Sequence, residues 1–134
     1  MNIVFGLFLF AHGLVHAMYA AHALRLLEVR PGLLWPDSSW ALSGLLGDSS
    51  VRVLVAVAFA LIASGFAVTG AALIFRRPWW ASAGSVAAIV STVVIVLAWN
   101  GSLNDLADQG LFAIMINVVV VVSALVLKWP RLAP

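Results

Sequence analysis

His12 and His16 stand four residues apart inside the apolar run NIVFGLFLFAHGLVHAMYAAHAL (residues 2 to 24), and Tyr19 follows one turn later. That spacing places the three side chains on one face of a helix. About 20 residues suffice to cross a bilayer, so His12 and His16 fall near mid-membrane and His22 toward the far interface. Polar groups at such depth face a bundle interior, a water-filled cavity or a ligand. Asn117 is the matching polar residue in the last apolar run. Counted at ~1.5 Å per residue from the span centres, His16 and Asn117 come out level. A pocket of His12, His16, Tyr19 and Asn117 opening toward the 25–50 loop follows. The competing reading is that His16 and Asn117 hydrogen-bond each other, or Ser64, as interhelical glue.

Three ligand chemistries can be weighed for such a stripe. Two imidazoles at i and i+4 can converge on one metal ion, but no carboxylate within a span completes the set. Two histidines of one helix cannot clamp a haem from opposite faces; His16 with Met115 is conceivable. A quinone or another lipophilic molecule needs only an apolar slot with a few hydrogen-bonding groups, which His, Tyr and Asn supply. The sequence does not identify a cofactor. It holds no cysteine, so thiolate chemistry is absent. No HExxH, Ser-His-acid arrangement or phosphate loop is present, which argues against a familiar hydrolytic enzyme.

The elements that position these residues are four apolar runs, at about 2–24, 51–75, 79–99 and 110–128. Each is long enough to span a membrane as a helix. With 64% hydrophobic residues, 9% charged and a mean hydropathy of +1.13 over 134 residues, the main solvent is lipid. The fold class expected is all-α: one integral membrane domain, a four-helix bundle with a long capping loop between the first and second spans. The pI near 10.0 rests on seven basic and five acidic residues, a scarcity of acids rather than a cationic surface, so nucleic acid is not an expected partner. The first run resembles a signal peptide, with Ala21-His22-Ala23 in place of a cleavage site. It has no basic n-region, so it is read as a retained span.

Smaller signals complete the outline. Asp37-Ser38-Ser39 offers cap chemistry for a short helix near Trp40. Pro78 suits the first turn of the third span, Asn100-Gly101 its end, and Asp105 and Asp108 the start of the fourth. Ala60/Ser64, Gly65/Thr69, Ala81/Ser85 and Gly84/Ala88 are small-residue pairs for close helix packing. Arg76, Arg77, Lys128 and Arg131 on the N-terminal side, against Arg25, Arg30 and Arg52 on the other, favour both termini in the cytoplasm. Trp79, Trp80 and Trp129 mark one interface and Trp99 the other.

The opening GLFLFAHGLVHAMY, with Gly6 to His16 at its centre, resembles the small bacterial DoxX-like membrane proteins. That resemblance implies a four-helix membrane fold, a bacterial inner-membrane location and, for some members, a link to quinone-dependent oxidation. Two functions are therefore expected in competition. The first is a small structural or assembly subunit of a larger membrane complex, with membrane lipid and other subunits or further copies of itself as partners. The second is a redox-associated or transport protein holding a quinone-like ligand at the histidine stripe.

Overall fold

The computed structural model describes residues 1–104 and 106–132. Five helices follow in order: α1 (Asn2–Ala23), the short α2 (Ser43–Leu46), α3 (Asp48–Ile74), α4 (Trp80–Ala98) and α5 (Ala107–Val126). Among the described residues there is no strand. All but α2 are long and apolar enough to cross a membrane, and the chain is a small all-helical membrane protein. Its exterior carries exposed Leu7, Leu14, Leu61, Val86 and Val118, as expected where lipid covers the outer face.

The expected spans reappear with every end within three residues of its expected place. Pro78 lies in the turn before α4, outside its first turn, because Trp80 N–H closes on the Arg77 carbonyl and starts the helix later. α5 opens with a kink at Gln109 (φ −90°) and Gly110 (φ +96°). Gln109 is buried and ties this corner together: its Nε2 donates to the Asn104 carbonyl at 3.1 Å and its Oε1 accepts from Asn100 N–H at 3.4 Å. Asp108 pairs with Arg30 of the long loop rather than capping α5; Asp105 lies outside the described residues. α1 and α3 end in left-handed basic residues, Arg25 (φ 59°) and Arg76 (φ 55°). In each case the following amide reaches back to a carbonyl five residues earlier, the arrangement glycine usually supplies, with a cation complementing the helix dipole.

The closest helix approach joins α1 to α3. A Cβ on Gly70 would stand 2.6 Å from the Gly6 carbonyl oxygen, and one on Gly13 3.0 Å from that of Ala63. Of the small-residue pairs read from the sequence, Gly84 packs on Thr69 and Gly65 approaches Ala87, joining α3 to α4. Ala60 and Ser64 face outward, and Ser64 Oγ merely donates to the Ala60 carbonyl.

The 25–50 loop is an ordered cap. The last carbonyls of a helix have no partner within it, and here four consecutive ones at the end of α4 receive donors from the loop. Trp40 Nε1 donates to Val96 O at 2.8 Å, Ser39 Oγ to Leu97 O, Trp35 Nε1 to Ala98 O at 3.1 Å and Trp40 N–H to Trp99 O at 2.9 Å. Ser39 Oγ also accepts from the amides of Ala41 and Leu42, which holds the turn before α2; the short helix itself starts at Ser43, later than expected, with no side-chain cap. An ion pair, Arg25 with Asp37 at 2.7 Å, closes the loop on itself.

Candidate functional site

Four helices would keep any buried polar side chain away from water, so each must find its partner inside. His12, His16, Ser91 and Asn117 are each at most 3% exposed, and they form one connected chain. Asn117 Oδ1 can only accept, so His12 Nε2 donates to it, at 2.9 Å. Asn117 Nδ2 then gives its two hydrogens to Ser91 Oγ at 2.8 Å and Thr92 Oγ1 at 3.1 Å. The Thr92 hydroxyl is committed to the Ala88 carbonyl. Ser91 keeps its own proton for His16 Nε2, 3.2 Å away. His12 thus carries its proton on Nε2 and His16 on Nδ1. Three helices, α1, α4 and α5, are linked through one amide.

Aromatic rings seal the stripe. Phe59 and Phe66, seven residues and hence two turns apart on α3, both stack on His16, at 5.8 and 5.4 Å between centroids. The imidazole lies between them. His12 meets Phe66 edge-on at 4.6 Å and His16 at 4.8 Å. Tyr19 continues the stripe by ring contact, 5.9 Å from His16 and 5.1 Å from Trp35; no described residue hydrogen-bonds its hydroxyl.

All four residues singled out from the sequence therefore belong to one cluster, with a different pairing. Asn117 meets His12 directly, and His16 only through Ser91. The helix bounds explain the change: with α1 at Asn2–Ala23 and α5 at Ala107–Val126, His12 and Asn117 each fall at the middle of their own span. The walls beside the histidines are the Phe59 and Phe66 rings. Asn117 also reaches an outer groove of about 290 Å³ between α4 and α5, floored with Thr92 and flanked by Val93 and Val118.

Among the described residues, three buried polar atoms have no partner: His12 Nδ1, His16 Nδ1 and Ser85 Oγ. Among the described residues no group of three or more His, Asp or Glu could hold a metal ion. Met115 lies on the outer face, 57% exposed, and does not join His16. His22 does not join the stripe either: its Nδ1 lies 3.1 Å from the Leu27 carbonyl and secures the start of the loop. Ser91, Thr92, Phe59, Phe66 and Trp35 complete the cluster, and they are not among the candidates the sequence singles out. The adjacent Ser91-Thr92 in the apolar α4, and phenylalanines seven apart on α3, were the available signals.

No family profile, curated protein or solved structure matches this chain.

Proposed function

We propose that this protein is a small structural or assembly subunit of a larger membrane complex, with the His12–Asn117–Ser91–His16 chain as its internal fastener. The observation that carries this reading is the double commitment of Asn117: its oxygen serves α1 and its nitrogen serves α4. A ligand at that point would have to displace bonds the protein already makes. The outer surface supports the same role. Gly65, Ala58, Ser82 and Ala83 line a groove of about 550 Å³ along α3 and α4, and small residues let helices approach closely in lipid. Orientation with both termini cytoplasmic, in a bacterial inner membrane, belongs to this proposal.

The test is purification from native membranes in a mild detergent. Stable co-migration with other polypeptides is expected, and a lone species free of them would overturn the reading.

One observation favours a second reading. His12 Nδ1 and His16 Nδ1 are buried without partners, and unpaired polar atoms in an apolar interior cost free energy unless something meets them. A quinone-like ligand at His12, His16, Tyr19 and Asn117, held by a redox-associated or transport protein, would supply that partner, in line with the resemblance carried by Gly6 to His16. An absorption spectrum, with mass spectrometry of the organic extract, reads this directly: a stoichiometric quinone or chromophore supports it, and a clean extract excludes it.

A further inference from the structure

Charge is divided unequally between the two ends of the bundle. Phe5 packs on Trp80 at 6.1 Å and on Trp129 at 5.1 Å, so the α1 start, the α3–α4 turn and the end of α5 share one end. That end carries Arg76, Arg77, Lys128 and Arg131 and no described carboxylate. Glu28, Asp37, Asp48 and Asp108 all lie at the other, where the ion pairs Arg25–Asp37 and Arg30–Asp108 form. None of the four cations has an ion-pair partner among the described residues. Unpaired cations beside interfacial tryptophans are placed to meet anionic headgroups.

The chain builds a receptacle there. At the end of α5, Lys128 takes a left-handed conformation (φ 48°) and Trp129 N–H returns to the Ser123 carbonyl at 2.8 Å. The reversed segment comes back over the bundle, burying Pro130 and half-burying Leu132. Between it and the start of α4 lies a groove of about 740 Å³, walled by Trp80, Ala81, Ala124 and Leu127 and bearing Lys128 and Arg131. Two cations stand over an apolar wall. Ala81 belongs to the first turn of α4, where amides lack helical acceptors and favour an anion.

We propose that this groove binds an anionic phospholipid, its phosphate held by Lys128 and Arg131 and an acyl chain lying along Ala124 and Leu127. The shape argues for a lipid over a free anion, because most of the wall is hydrocarbon. The inference stands apart from the role proposed above.

The test uses the full chain in vesicles of equal parts phosphatidylcholine and phosphatidylglycerol, reading the lipid retained on the purified protein by native mass spectrometry. Retained lipid should be enriched in phosphatidylglycerol. The double variant Lys128→Gln/Arg131→Gln should reduce that enrichment on the order of tenfold, while Arg52→Gln, at the acidic end, should leave it unchanged. Raising the salt should erode the wild-type preference, a readout that needs no variant. Equal retention of both lipids, indifference to the double substitution, or release of the lipid by inorganic phosphate alone would each overturn the proposal.

Discussion

Asn117 on α5 accepts a hydrogen bond from His12 on α1 at 2.9 Å, 105 residues away in the chain. The bond lies at the middle of both spans, between side chains that are at most 3% exposed. Asn117→Leu leaves His12 Nε2 and the Ser91 and Thr92 hydroxyls each short of a partner. A loss of about 1–3 kcal/mol is expected, read as a lower unfolding midpoint in detergent.

The pairwise part of that loss is separable. A double-mutant cycle of His12→Leu and Asn117→Leu should give a coupling of about 0.6 kcal/mol, the average for such bonds inside membranes, and at most about 1.7 kcal/mol. A coupling of zero would mean that the two side chains act independently.

The α1–α3 contact is backbone on backbone. Gly70→Ala places a methyl 2.6 Å from the Gly6 carbonyl, and that atom cannot rotate aside. Overpacking of this kind costs about 1–3 kcal/mol. Gly65→Ala, whose methyl would sit 3.5 Å from Ala87 Cβ, should be tolerated, and the pair compared by thermal unfolding tests the distinction.

Gly110 meets two constraints at once. Its φ of +96° disfavours any side chain, and a Cβ there would lie 2.9 Å from Ile95 Cγ2. Gly110→Ala should lower stability by about 1–3 kcal/mol and speed amide exchange through residues 106–112, where the Gln109 bonds would be strained. Protection equal to wild type would show that the kink relaxes freely.

The loop cap predicts local rather than global effects. Trp35→Phe keeps the packing on Tyr19 and Phe59 but removes the donor to the Ala98 carbonyl. Faster amide exchange is expected over residues 35–46, with α1 and α3 unchanged.

The architecture was legible because span length and hydropathy are composition-level signals that survive a boundary error of a few residues. The histidine stripe was legible for the same reason, since i, i+4 spacing fixes a face whatever surrounds it. Pairing across helices was not. Span centres counted from the sequence pair His16 with Asn117, whereas the bounds of α1 and α5, different by up to three residues, pair Asn117 with His12. Ser91 was overlooked because one hydroxyl in an apolar helix usually turns back on its own backbone, as Ser64 and Thr92 do here. The loop cap was foreseen only in outline, because the indole and hydroxyl donors of Trp35, Trp40 and Ser39 serve carbonyls some sixty residues further on, a relation no local pattern encodes.

The spans are unequal: α3 has 27 residues and α4 has 19, about 40 Å against 28 Å at ~1.5 Å per residue. The shorter span matches a hydrocarbon core of about 30 Å and the longer one exceeds it, an excess that a helix accommodates by tilting or by projecting beyond the lipid. By seating tryptophan and serine donors on the last carbonyls of the shorter helix, the 25–50 segment gives those oxygens partners that neither lipid nor the helix itself supplies.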